Sequence, residues 1–346
     1  MDKKIKWGVL GNAHIARVCV IPAIQKSSNG SVYALATRSP ETGVQVAAEH
    51  NIPRIYGTYD DLLADPEIQV IYNPLPNHLH HYWTLRALEA GKHVLCEKPL
   101  ACNARQAREM ADSAKRRGLL LMEAFMYRFH PRSQRIKRLV ADGFIGLPVL
   151  MRTAFCYPME ETLLASGECS RLKPQMGGGA LLDVGCYGVS VTRWLMGKEP
   201  IGLQGQAIYH PSGVDVHFVG SLRFPGKGLA TLEASFISAL QQTYTILGTR
   251  SAIELPHNAF IPWEAEAEFI LRGQAAETGE KQVTAGADEY QLMAEHFSDA
   301  VRGRIPLAFS PEESVRNMQV LDGLAEAAQT GQTILWDPSG PIGARP

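Results

Sequence analysis

The feature that most constrains this chain is the alternation of short apolar strand patterns with helix patterns over its first ~120 residues. Residues 5–10 read as a strand and residues 15–25 as a helix crossed by Pro22. Residues 32–37 are a second strand, 41–50 a helix, 70–72 a short buried strand and 78–90 a helix stopped by Gly91. Residues 93–97 form a strand closed by Pro99. Asn103 caps a helix that runs to Arg117, with Gly118 behind it, and residues 119–124 are another apolar strand. Parallel neighbours need a long crossover between them, so this spacing predicts an α/β unit with a doubly wound parallel sheet.

The rhythm changes after residue 147. Residues 149–157 are strand-like, and residues 179–196 read as one apolar helix. Strand patterns at 201–209, 214–224, 229–237, 243–247 and 252–255 then follow, separated by turns such as Pro211-Ser212-Gly213. Consecutive strands on short turns predict an α+β unit. Its sheet should be large, open and mostly antiparallel, with helices covering one face. Residues 288–302 and 311–329 close the chain as helices. The expected division is residues 1–124 for the first domain and 125–346 for the second, which would bind substrate and associate with a second copy.

Lys plus Arg number 34 and Asp plus Glu 35, a net charge of −1, so nothing general draws the chain to nucleic acid or an anionic membrane. No apolar run reaches the ~20 residues of a bilayer span. The basic start (Lys3, Lys4, Lys6) leads into residues interrupted by Asn12, His14 and Arg17, which suits a first core strand better than a secretion signal. Six cysteines show neither a CxxC pair nor zinc spacing, as expected of free thiols in a cytoplasmic protein. His78, His80 and His81 open a helix where adjacent positions diverge, so no metal is expected.

Gly8-Val9-Leu10-Gly11-Asn12-Ala13-His14-Ile15-Ala16 joins the first strand to the first helix. Gly11, Ala13 and Ala16 hold the three glycine positions of the Rossmann dinucleotide fingerprint. Ala13 departs from it, its methyl holding a pyrophosphate slightly away. Gly11, Asn12, Ala13, His14 and Ile15 would line that turn, with helix N–H groups open to phosphate. After the second strand stands Thr37-Arg38-Ser39 instead of the acidic residue that holds an NAD ribose. Arg38 can fork onto a 2′-phosphate and the hydroxyls can donate, so NADP is favoured over NAD.

Ligands of doubly wound sheets lie at the carboxyl ends of the strands. Two segments end there with unusual content: Tyr72-Asn73-Pro74-Leu75-Pro76-Asn77-His78 and Cys96-Glu97-Lys98-Pro99. Pro74, Leu75, Asn77, His80, Glu97 and Lys98 are accordingly expected along the cofactor, with Asn77 also suited to cap the next helix. Lys98 follows a buried strand and precedes a proline, so its cation is fixed in place and able to orient a substrate hydroxyl.

The first turn, Glu97-Lys98-Pro99 and the run Gly177-Gly178-Gly179-Ala180-Leu181-Leu182-Asp183-Val184-Gly185-Cys186-Tyr187 resemble the glucose-fructose oxidoreductase / inositol dehydrogenase / MocA family over nearly the whole chain. Residues 123–131, Glu-Ala-Phe-Met-Tyr-Arg-Phe-His-Pro, are similar to the branch of dimeric dihydrodiol dehydrogenases and NADP-linked D-xylose dehydrogenases. That branch often has Trp where Met126 stands. The resemblance implies a substrate pocket with Met126 and a homodimer formed through the exposed face of the antiparallel sheet. Arg128 suits that pocket, the cofactor or a structural ion pair equally.

Asp183 and Tyr187 are four apart and share a helix face. Taken alone they read as a charge near a helix N-terminus and a half-buried tyrosine. The resemblance makes Tyr187 the acid–base residue, Lys98 the catalytic lysine and Asp183 a partner of a substrate hydroxyl or of the lysine. A phenol titrates near 10; Lys98, the nicotinamide charge and the helix N-terminus would favour its phenolate. The implied reaction is reversible hydride transfer between nicotinamide and the carbon of a sugar or trans-dihydrodiol hydroxyl. Alternatives are a relative that oxidises transiently to epimerise or cleave a glycoside, and a non-catalytic NADP-binding regulator.

Overall fold

A computed structural model describes residues 3–262, 266–273 and 278–337. The chain divides into two compact units, residues 1–129 with 288–315 and residues 130–287 with 316–346. The first is built on six strands: β1 (Ile5–Leu10), β2 (Gly30–Ala36), β3 (Arg54–Tyr56), β4 (Val70–Asn73), β5 (His93–Cys96) and β6 (Leu121–Glu123). They lie in the order β3-β2-β1-β4-β5-β6, and every pairing is parallel. The order reverses beside β1, which is the doubly wound arrangement read from the sequence. β3 and the helix Tyr59–Ala64 are additions to that reading: Arg54-Ile55-Tyr56 is too short and too exposed for its pattern to be visible.

The first helix runs through Pro22 by widening. Ala16–Val20 form a π-helical turn, and the Ile21 N–H bonds back to the Ala16 carbonyl, five residues away. A proline cannot donate and its ring crowds the carbonyl four residues earlier, so a wider turn keeps the helix continuous. The helix Ala104–Arg117 ends as its residues dictate. Asn103 accepts from the Gln106 N–H at 3.0 Å, and Gly118 adopts φ +64°.

The helix Glu289–Val301 belongs to this first unit although it lies far along the chain. Its Phe297 ring sits 5.7 Å from that of Trp7, and Ser298 Oγ accepts from the Trp7 indole at 3.2 Å. Asn29 Nδ2 donates to the Glu295 carbonyl at 2.9 Å. Burying Trp7 with Phe297, both fully enclosed, contributes a few kcal/mol.

Among the described residues the second unit holds nine strands: β7 (Pro148–Cys156), β8 (Gly202–Tyr209), β9 (Asp215–Arg223), β10 (Leu229–Ser235), β11 (Gln241–Gly248), β12 (Ser251–Leu255), β13 (Glu266–Gly273), β14 (Glu280–Ala285) and β15 (Ile334–Leu335). Their order is β14-β13-β12-β11-β7-β10-β9-β8-β15. Only β7 with β10 is parallel. β7 enters at the centre, between two antiparallel meanders. The helix Cys186–Met196 packs against β7 and β10, nearly all of it buried. The apolar stretch expected as one helix is split: Leu181–Gly185 is a π-helical turn, and the regular helix starts at Cys186.

Candidate active site

The first turn has the shape a pyrophosphate needs. Gly11 takes φ +75°, and its N–H donates to the Ala36 carbonyl at 2.7 Å. A Cβ added to Gly11 would lie 3.0 Å from Leu75 Cδ2 and 3.4 Å from the Tyr59 hydroxyl, so a side chain there would fill the cradle. Asn12, Ala13 and Ile15 are partly exposed and His14 is exposed, at the open end of the first helix. These residues fit a dinucleotide. Tyr59 also reaches this turn, its ring held edge-on by Trp83 at 4.8 Å. No sequence signal placed it there, because its helix escaped the periodicity.

At the end of β2, Thr37 is buried and accepts from the Ser39 N–H at 3.2 Å. Arg38 and Ser39 are exposed. Among the described residues the Arg38 guanidinium has no protein partner. Glu41 lies in the first turn of the helix Pro40–Glu49, where a carboxylate complements the helix dipole.

The loops after β4 and β5 are tied together by His80. Its ring is fully buried, with Nδ1 2.9 Å from the Pro99 carbonyl and Nε2 2.6 Å from the Leu75 carbonyl. Burial lowers its pKa to about 4. Both ring nitrogens face carbonyl oxygens, so only the doubly protonated ring could donate to both, and burial opposes that cation. Asn77 is the first residue of the helix Asn77–Glu89 and not its cap, a correction to the sequence reading: the cap position falls on Pro76, which has no side-chain donor or acceptor to offer.

Glu97 is buried at the end of β5. Its Oε1 accepts from the Tyr72 hydroxyl at 2.7 Å and its Oε2 from the Lys98 N–H at 3.3 Å. Burial raises its pKa, against the opposing pull of Tyr72 and Lys98. Tyr72, also buried, is pushed well above the ordinary phenol, by burial first and then by Glu97. Lys98 itself is half-buried. His81 of the same helix start bonds Glu109 instead, at 2.7 Å.

Met126 and Arg128 are both buried within the first unit. The Arg128 guanidinium bonds Glu313 Oε1 at 2.6 Å and the Tyr127 hydroxyl at 3.3 Å, and stacks 4.5 Å from the Phe309 ring. Of the three roles open to Arg128, this geometry fits the structural ion pair.

In the second unit, Tyr187 is 4 % exposed, its ring 5.3 Å from Phe155 and 5.5 Å from Phe260. Asp183 Oδ2 accepts from Arg171 Nε at 2.9 Å and from the Tyr157 hydroxyl at 3.0 Å. Asp215, at the start of β9, accepts from the Leu181 N–H at 2.7 Å and so caps the helix that carries Asp183 and Tyr187. Burial raises the Asp215 pKa, which three backbone N–H groups oppose. Tyr157, Arg171 and Asp215 went unnoticed in the sequence. Each comes from a segment remote from the glycine run, or from a loop without periodicity.

Residues 5–125 match the oxidoreductase family with an NAD-binding Rossmann fold, and residues 133–254 match the GFO/IDH/MocA C-terminal domain. The chain is 34% identical to a D-xylose 1-dehydrogenase (NADP(+)) of Haloferax volcanii over 96% of its own length and 99% of the relative's. It is 35% identical to a trans-1,2-dihydrobenzene-1,2-diol dehydrogenase of Xenopus laevis, over 74% of this chain and 77% of that one. The crystal structure of a 3-ketoreductase from Actinomadura kijaniata, in complex with NADP and TDP-benzene, superposes with a TM-score of 0.85 at 26% identity, covering 94% and 98% of the two chains. The chain belongs to the GFO/IDH/MocA family of oxidoreductases.

Proposed function

We propose that this protein is an NADP-dependent oxidoreductase that moves a hydride between nicotinamide and the hydroxyl-bearing carbon of a sugar or trans-dihydrodiol. The observation that carries the cofactor choice is Arg38, exposed and unpartnered among the described residues at the end of β2. A guanidinium there binds a 2′-phosphate through charge-assisted bonds, where the carboxylate usual in NAD sites would repel it. The names of the Haloferax and Xenopus relatives support the substrate class.

When bound, the nicotinamide supplies the two-electron acceptor. The chain does the rest. Tyr187 takes the hydroxyl proton as the carbonyl forms, and returns it in the reverse direction. Lys98 donates to the same oxygen and opposes the negative charge that develops on it. Asp183 accepts from a neighbouring substrate hydroxyl. The aromatic wall of Phe155 and Phe260 holds the Tyr187 ring in one orientation and keeps bulk water from it. We further propose a cytoplasmic homodimer. All six cysteines are free thiols, which suits a reducing compartment. Ile208, Val219 and Leu229 stand exposed on β8, β9 and β10, where a second copy would cover them.

The test is absorbance at the reduced-nicotinamide band with NADP⁺ and D-xylose, D-glucose or trans-1,2-dihydrobenzene-1,2-diol. Tyr187→Phe should lose roughly 10²- to 10⁴-fold in kcat while NADP affinity stays within about twofold. Wild-type protein that binds NADP yet turns over none of the three would point instead to a non-catalytic regulator. A Tyr187→Phe variant with near-normal turnover would refute the acid–base role.

A further inference from the structure

We propose that Arg171 and Tyr157 are positioning residues that hold the Asp183 carboxylate in one orientation toward a substrate hydroxyl; the inference rests on the activity proposed above. Both donors meet the same oxygen, Oδ2, Arg171 Nε at 2.9 Å and the Tyr157 hydroxyl at 3.0 Å. A carboxylate is planar. Donors that reach one of its oxygens from two different segments fix the plane, and with it the direction of Oδ1.

Each donor is itself held. Tyr157 directly follows β7, where its N–H donates to the Ser235 carbonyl at 2.9 Å and its ring tilts against Phe236 at 5.3 Å. Arg171 is held through its main chain by the glycine run. The Gly179 N–H donates to the Arg171 carbonyl at 2.9 Å. A Cβ on Gly178 would lie 2.4 Å from that same oxygen, so no larger residue lets the chain lie this close. Gly178 and Gly179 thus bring residue 171 flush against the turn that carries Asp183.

A surface ion pair is worth little, and the Arg171 side chain is 52% exposed. Asp183 differs in being only 15% exposed with a second donor on the same atom. The phenol stays a donor here: burial, and then Asp183, raise the Tyr157 pKa. The Arg171 charge is likewise secured by Asp183.

The experiment is a double-mutant cycle in steady-state kinetics. It uses NADP⁺ and the fastest substrate among D-xylose, D-glucose and trans-1,2-dihydrobenzene-1,2-diol, with NADPH affinity read by fluorescence. Arg171→Leu should raise KM for that substrate more than about tenfold, change kcat less, and leave NADPH affinity within about twofold. Arg171→Lys should recover part of the loss, and Tyr157→Phe should raise KM a few-fold. On an Asp183→Asn background, Arg171→Leu should add less than about twofold, because its effect passes through the carboxylate. An unchanged KM in Arg171→Leu, or a factor undiminished on the Asp183→Asn background, overturns the inference. If Arg171→Leu does not fold, Arg171→Lys and Tyr157→Phe are carried through the same cycle. Asp183→Asn with wild-type kinetics would refute the proposed role of Asp183 instead, and a wild-type enzyme inert toward all three substrates would refute the activity.

Discussion

Gly179→Ala should damage the second unit well beyond what one added methyl implies. Gly179 sits at φ +114°, a region that side-chain-bearing residues rarely enter. Holding alanine there costs about 1–3 kcal/mol. The new Cβ would also lie 2.2 Å from Asp215 Oδ1, so the carboxylate must move. Moving it breaks the 2.7 Å bond to the Leu181 N–H. Losing a charged acceptor at a buried helix end costs about 1–3 kcal/mol more. The sum is roughly 2–6 kcal/mol, or on the order of 5–20 °C in Tm for a unit of this size. Thermal unfolding followed by circular dichroism reads the shift. Turnover should also fall, because the displaced turn leads into Asp183 and Tyr187. On an Asp215→Ala background the clash is gone, and the cost of Gly179→Ala should shrink to the strain alone. A Gly179→Ala protein melting within about 2 °C of wild type would refute the argument, as would an equal loss in both backgrounds.

Two more outcomes follow from the first unit. Arg38→Ala should weaken NADP binding about 10- to 100-fold and NAD binding less than about twofold, measured by fluorescence titration; equal losses would remove the phosphate contact. Asp65 is buried, which pushes its carboxyl up, but the Glu67 N–H, the Tyr56 hydroxyl and Arg54 outweigh burial and leave the pKa lowered. Its contribution to stability is therefore complete above the unfolded carboxylate range near 3.9 and fades as pH falls through the lower folded value. The Tm gap between wild type and Asp65→Asn should be widest at neutral pH and narrow below about pH 4; a gap that grows on acidification would reverse the sign and sink the assignment.

Much of the first unit was legible in residue order alone. Strand, glycine turn, helix and strand follow within residues 5–36, and each signal is local: Gly11 for the turn, Asn103 for a cap, Gly118 for a stop. The misreadings are also local in origin. Arg54–Tyr56 is too brief to show a period, and Asn77 has a capping side chain but sits one position inside the helix. In the second unit the turns between strands were visible, but the parallel pairing of β7 with β10 was not. It joins segments separated by seven other elements of helix and strand, and the pleat period of a strand says which face is buried without naming its neighbour.

Residue order by itself determined where most helices and strands of the first unit form, where the chain must turn tightly, and which strand ends carry Arg38 and Lys98. Only the tertiary structure decided that the helix Glu289–Val301 closes over Trp7, that Asp215 caps a helix 34 residues away, and that Arg171 and Tyr157 meet on one oxygen of Asp183. Local signals arise from backbone sterics and from hydrogen bonds between near neighbours. A long-range hydrogen bond leaves no mark on either partner until packing brings them together.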